Sequence, residues 1–155
     1  MNGLNPRVLA YLGRALSLEL SAVQQYMTQA CLVGLWGETE AADRFRQETL
    51  EEMGHAERIV QQMLRLRVAP SASQLQPVTT ASDLRGLLAG NAVLEQSLIS
   101  HYDGATRFCH HIGDSENAAF FQSLLEEEQH HGQELAEWLH SLDPQNQPQP
   151  ARATF

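Results

Sequence analysis

The feature that most constrains this chain is a repeat of acidic residues set at helical spacing. One constant shift along the chain carries Glu19 onto Glu95, Tyr26 onto Tyr102, Phe45 onto Phe121, Glu52 onto Glu128 and His55 onto His131. Within each half the two glutamates keep the same separation, Glu19 to Glu52 and Glu95 to Glu128. A chain that repeats itself at this length builds two similar units that pack through a shared face. The apolar periodicity decides whether the repeated acids point into that face or away from it.

Asn5-Pro6 is a helix start, a capping side chain followed by proline at the first helical position. Apolar residues then recur at helical spacing from Val8 to about Val33, where GLWGET interrupts them. A second helix is expected from Thr39 to about Leu66, and residues 68–81, VAPSASQLQPVTTA, read as a long connection. Ser82 is expected to cap a third helix reaching about His111. Gly113-Asp114-Ser115 reads as a turn and cap before a fourth helix that runs to Leu142 and ends at Asp143-Pro144. Two hairpins with short links, joined by a long crossover between helices two and three, predict an all-α four-helix bundle over residues 1–143. Residues 144–155 form a Pro/Gln-rich tail with too many prolines for another stable helix.

Four E-x-x-H patterns occur: Glu52/His55, Glu127/His130, Glu128/His131 and Glu137/His140. At about 100° per residue, Phe121, Leu124, Leu125, Leu135, Leu139 and Leu142 define a stripe with Glu128 in its middle and His131 beside it. His130 and Glu137 fall on the opposite, solvated side. On helix two, Phe45, Ala56, Ile59 and Met63 place Glu52 and His55 in the same way. Glu19 lies among Leu12, Leu16, Val23 and Ala30, and Glu95 among Leu84, Leu88, Ala92 and Ile99. Each helix thus brings one glutamate to its apolar seam, and two add a histidine.

Four ionised carboxylates in an apolar core cost several kcal/mol each unless something compensates them. The chain has no lysine, and Arg14 and Arg58 do not fall on the seam. Protonation relieves part of the cost. Two divalent cations relieve it better, because +4 then meets −4 and neutral imidazoles complete the shell. Glutamates from two helices plus E-x-x-H from the other two are the known donor set of dinuclear carboxylate bundles. Oxygen and imidazole donors without thiolate suit iron or manganese, and zinc also fits. Tyr26 and Tyr102 follow Glu19 and Glu95 by about two helical turns and point inward, either as core aromatics bonding a carboxylate or in a redox role. His101, His110 and His111 read as surface residues.

Other features narrow the classes. A net charge of −9 without a basic tail argues against coating nucleic acid. No apolar run approaches the roughly 18 residues of a membrane span. The beginning, MNGLNPRVLAYLG, lacks the pattern of a secretory signal, so a cytoplasmic location is expected. Cys31 and Cys109 form no C-x-x-C and read as two buried thiols in a reducing compartment. Met53 lies at the edge of its helix's apolar stripe with Val60 and Leu64, where it would face a neighbouring subunit, and its repeat mate is Gln129. A thioether there is either interface filler or a ligand that meets its symmetry copy across a haem iron.

Over residues 4–142 the chain resembles the bacterioferritins, in the opening through ELSAVQQY, the tryptophan of GLWG, the E-E-M-x-H-A-E-R block and the E-E-E-x-x-H block. The intervals between Glu19, Glu52, Glu95 and Glu128 match that family. The resemblance implies a ferritin-like bundle with a ferroxidase centre of Glu19, Glu52, His55, Glu95, Glu128 and His131, with Tyr26 beside it. Glu52 and Glu128 would bridge two irons, with Glu19 and His55, and Glu95 and His131, as terminal ligands. Met53 would hold haem b shared by two subunits. It further implies Fe(II) and O2 or H2O2 as reactants, a shell built from twofold dimers, and a ferredoxin-like reductant for iron release. Bacterioferritins usually carry a short fifth helix; here that segment is DPQNQPQPARATF, so a 12-subunit shell stands beside the 24-subunit one. Gln47 replaces an inner-surface histidine of some members, leaving the iron route to the cavity open. Two rival functions remain: a dinuclear oxidase or peroxidase without mineral storage, and a structural or DNA-protecting shell like that of the mini-ferritins.

Overall fold

The computed structural model describes residues 3–71 and 73–143. Four helices account for almost all of them: α1 Pro6–Leu35, α2 Thr39–Arg65, α3 Leu84–His111 and α4 Ser115–Ser141. α1 with α2 and α3 with α4 form antiparallel hairpins, and α1 packs on α3 across them. The proline-rich tail lies outside the described residues. No helix among the described residues is long and apolar enough to cross a membrane.

The helix ends follow from local chemistry. The Asn5 side chain accepts from Arg7 N at 2.9 Å with Pro6 at the first helical position. Both hairpin turns close alike, at positions related by the repeat. Gly37 (φ 82°) and Gly113 (φ 74°) take the left-handed conformation that releases each helix. The following amide then bonds back, Glu38 N to Val33 O at 3.0 Å and Asp114 N to Cys109 O at 2.9 Å. The repeat therefore extends through the turns. The α3 cap is Asp83, not Ser82: its carboxylate accepts from Gly86 N at 2.7 Å.

The crossover is anchored rather than loose. Ser17, Ser21 and Gln25 stand one turn apart on α1 and accept backbone N–H groups of Gln74 (3.0 Å), Gln76 (2.9 Å) and Thr79 (3.1 Å). A segment without secondary structure thus satisfies three of its amides on a neighbouring helix.

Leu12, Phe45, Ile59, Leu88, Leu98, Phe121 and Leu124 form the fully buried apolar core. The α3 seam differs from the expected one. Asn91 and Leu98 are buried, Ala92 is exposed, and Leu84 and Ile99 are only partly buried, as is Val23 on α1. The reason is an amide cluster. Gln25 and Gln29 both donate to Asn91 Oδ1 at 2.9 Å, and Asn91 Nδ2 donates to Gln29 Oε1 at 2.6 Å. A polar residue whose hydrogen bonds are complete can sit where apolarity would not place it. A second plug, Gln62 Nε2 to Asn117 Oδ1 at 3.0 Å, lies toward the other end of the bundle.

Asn91→Ala should leave three buried amide groups of Gln25 and Gln29 short of partners. Urea unfolding at fixed protein concentration is expected to show a loss of about 2–3 kcal/mol, with helical content retained before the transition.

Candidate metal centre

The six repeated residues converge at mid-bundle. Glu19, Glu52 and Glu128 have no exposure, Glu95 has 2%, His55 4% and His131 8%. Two overlapping groups form, Glu19, Glu52, His55 and Glu128 in one, and Glu52, Glu95, Glu128 and His131 in the other. Within each, one donor atom per residue lies within 4.8 Å of the rest. Glu52 and Glu128 belong to both. That is the arrangement of two adjacent ion positions with shared carboxylates between them and one terminal glutamate and one imidazole at each.

His55 Nδ1 approaches Glu128 at 2.8 Å, Glu52 at 3.1 Å and Glu19 at 3.6 Å. His131 Nδ1 lies 3.3 Å from Glu52 and 3.5 Å from Glu128. The two rings are 5.5 Å apart and nearly parallel. Both tyrosines reach across the halves, Tyr26 Oη donating to Glu95 and Tyr102 Oη to Glu19 in very short bonds. Tyr26 thus fixes a carboxylate of the centre, and a redox role stands beside that contact rather than against it.

Sequence reasoning misses the groups that hold the imidazoles from behind. His55 Nε2 meets Glu127 at 2.7 Å, and His131 Nε2 meets Glu51 at 2.8 Å. These bonds leave each Nδ1 aimed at the carboxylates, the tautomer a metal requires. The E-x-x-H pattern groups Glu127 with His130, which is exposed as expected, and so hides the acid's own contact. The signal that could have found it is the repeat, because the shift that relates the ligands also carries Glu51 onto Glu127.

Two further residues sit elsewhere than expected. His101 is half-buried, its Nε2 on Tyr11 O at 2.9 Å and its ring against Tyr11. Cys109 is buried but Cys31 is exposed, on a face of α1 that also shows Met27 and that is not covered among the described residues. Met53 is 51% exposed, with Leu50 and Leu64 also exposed on α2.

The electrostatics show what the cluster lacks. Burial, and then the Glu52 charge, push Glu19 up to about 8. Burial, with Glu52 and Glu128, holds Glu95 well above the usual carboxylate range. Burial opposes charging of the imidazoles, yet the carboxylates of Glu128 and Glu52 close beside them override it, raising His55 strongly and His131 to about 12. Protons are therefore the counter-charges of the metal-free protein. They do not satisfy it. Glu19 Oε2, Glu52 Oε1, Glu95 Oε2, Glu128 Oε2 and His131 Nδ1 are buried without a hydrogen-bond partner. Five orphaned donor atoms, all in one cluster, fit cations that the protons only replace in part.

Comparison with known proteins agrees with this geometry. A family model described as a ferritin-like domain matches residues 9–143. A bacterioferritin of Rhodobacter capsulatus is 32% identical over 125 residues, covering 81% of this chain and 78% of the relative. One of Mycolicibacterium paratuberculosis is 30% identical over 139 residues, covering 90% and 87%. The solved Rhodobacter capsulatus bacterioferritin, described with a metal-free dinuclear site and a haem iron in a crystallographic special position, superposes with a TM-score of 0.86 at 29% identity. That superposition covers 97% of this chain and 98% of the other. By its sequence and by its fold, this chain belongs to the bacterioferritin family of ferritin-like proteins.

Proposed function

We propose that this iron-storage protein oxidises its own cargo at the buried cluster. Two Fe(II) ions are taken up between the helices, each gives one electron to O2 or hydrogen peroxide, and the ferric product passes into the cavity of an oligomeric shell as mineral. The observation that carries this reading is the set of five orphaned donor atoms in a cluster of four glutamates and two histidines. Glu52 and Glu128, common to both groups, would bridge the ions; Glu19 with His55 and Glu95 with His131 would hold the outer positions.

The residues divide the work by chemistry. Carboxylates are hard donors that hold Fe(II) and hold Fe(III) better, which favours loss of the electron. Tyr26 and Tyr102 orient Glu95 and Glu19, while Glu51 and Glu127 orient the imidazoles. The acidic balance of the chain, −9, draws cations toward the shell.

Haem is the second proposed group. Met53 presents a half-exposed thioether on α2, flanked along the same helix by the exposed Leu50 and Leu64. An apolar face with a soft donor suits a haem shared by two copies, each of which would offer its Met53 as ligand. Bound there, haem would supply one-electron transfer for reducing stored iron, with a ferredoxin-like protein as donor. A dinuclear oxidase without storage is the second reading. The buried cluster alone does not separate the two, and the mineral content of the isolated protein decides between them.

Three outcomes test these assignments. Glu52→Ala combined with Glu128→Ala should abolish rapid Fe(II) oxidation, followed by stopped-flow absorbance, while circular dichroism stays helical; an unchanged rate would remove this centre from the chemistry. Met53→Leu should lose the haem Soret band with no change in melting temperature, and a retained band excludes Met53 as ligand.

The third concerns pH. Glu19, Glu95, His55 and His131 all have raised values in the folded chain. The folded metal-free protein therefore keeps protons that the unfolded chain has shed, and its stability falls as pH rises. The window opens near the unfolded carboxyl value of 4.5 and runs through about 8 for Glu19. Melting temperature in the presence of chelator should fall from about pH 5 to pH 8. Co(II) should cancel that slope, because it displaces those protons and binds more tightly as pH rises. A metal-free melting temperature that climbs over this range contradicts the assignment.

A further inference from the structure

The repeat that builds the centre also builds its surroundings, with one break. The shift that relates the ligands carries Glu51 onto Glu127, Gln47 onto Ser123 and Arg58 onto Glu134. Glu51 and Glu127 perform the same task in opposite halves, each accepting from the Nε2 side of an imidazole. They are not held alike. Arg58 Nη1 donates to both oxygens of Glu127 at 2.8 and 2.9 Å, and its Nη2 donates to Ser123. Beside the imidazole, the partner that Glu51 shows among the described residues is the neutral amide of Gln47 at 2.9 Å. Where the repeat would place a second arginine, the chain has Glu134, whose ion-pair partner is the exposed His130 on its own helix.

The open side differs in shape as well as charge. A surface groove of about 490 Å³ is lined by Gln47, Glu48, Glu51, Glu134, Arg44 and Trp138, among others. Glu48, Arg44 and Trp138 also line a small internal void whose other walls include Glu95 and His131. The groove's cation, Arg44, lies over the Trp138 ring at 3.7 Å. Glu48, Glu51 and His131 can bring one donor atom each within 4.8 Å of one another.

We propose that Arg58 is a positioning residue that makes the two repeat-related ion positions inequivalent: the one at Glu19 and His55 holds its ion in a fixed frame, and the one at Glu95 and His131 exchanges its ion through the groove at Glu48, Glu51 and Glu134. This rests on the dinuclear reading above. An ion leaves a buried site by ligand replacement, so the barrier depends on whether a free carboxylate waits at the exit. At His131, Glu48 and Glu51 can take the ion as the imidazole swings aside. At His55 the corresponding carboxylate is occupied by Arg58 Nη1, which donates to both of its oxygens, and the arginine's charge repels a departing cation. Extra negative charge near His131 lowers the energy of the ion in the centre and in the groove alike, so it does not by itself close the exit.

The test is release of Co(II) from the full-length protein loaded with two ions per subunit and mixed with excess dipicolinate, followed by the cobalt absorption band. Wild type should show two phases of equal amplitude, separated by roughly tenfold or more, the range typical of groups that hold a metal-bound histidine. Anomalous scattering from crystals stripped through the fast phase should show cobalt retained at Glu19 and His55. Arg58→Gln should merge the slow phase into the fast one, and Arg58→Lys should restore part of the separation. Glu134→Arg, which gives the second half its missing cation, should slow the fast phase toward the slow one. The metal-free melting temperature should stay within a few degrees for each, which a general loosening of the bundle would not allow. A single phase in wild type, retention at His131, a slow phase indifferent to Arg58→Gln, or a fast phase indifferent to Glu134→Arg overturns the inequivalence and leaves the dinuclear centre standing. Failure of the buried cluster to take two cobalt ions overturns both.

Discussion

Burial of four carboxylates and two imidazoles at one level of the bundle is the interaction on which the rest depends. Apolar packing alone would reject it, since an uncompensated ion in that position costs several kcal/mol. The chain admits it only because each helix brings one acid, so that no helix must carry the whole charge, and because the acids face one another across the axis. Protons fill the deficit when no cation is bound, and they leave five donor atoms orphaned. The centre is thus biased toward cation uptake by its own burial, and folding and metal binding draw on the same contacts.

Most of the polar contacts that shape the centre run between the two hairpins. Tyr26 bonds Glu95 and Tyr102 bonds Glu19. Glu127 supports His55, and Glu51 supports His131. The amide plugs do the same, Gln25 and Gln29 with Asn91 at one end and Gln62 with Asn117 toward the other. Neither hairpin satisfies its own polar residues, so the site is the interface between them rather than a pocket cut into one. The crossover carries the chain from one hairpin to the other with three of its amides pinned to Ser17, Ser21 and Gln25.

Where the repeat is kept, it gathers four glutamates and two histidines at one level; where it is broken, it leaves the surroundings of the two halves unlike. Arg58 against Glu134 separates a clamped side from an open, acidic one. Met53 against Gln129 confines the thioether, and with it the proposed haem, to the first hairpin.

The amino acids, read one helix at a time, dictate the four helices to within a few residues, because helical periodicity and the Asn5-Pro6, Gly37, Gly113 and Asp114 signals are local. They also dictate which glutamates and histidines converge, because a repeat of long period correlates positions that chance would not. Partnership lies beyond such a reading. Apolar periodicity prefers Ala92 to Asn91, because only the folded bundle supplies Gln25 and Gln29 to complete the asparagine's hydrogen bonds. Glu127 and Glu51 look like surface acids until α4 and α2 come side by side and set them behind His55 and His131. Cys31 reads as buried because an isolated thiol is usually a core residue, and only the folded chain shows that its side of α1 is exposed. Periodicity is a property of one helix, whereas a hydrogen bond between helices exists only once their relative rotation is fixed, and packing of the tertiary structure alone sets that rotation.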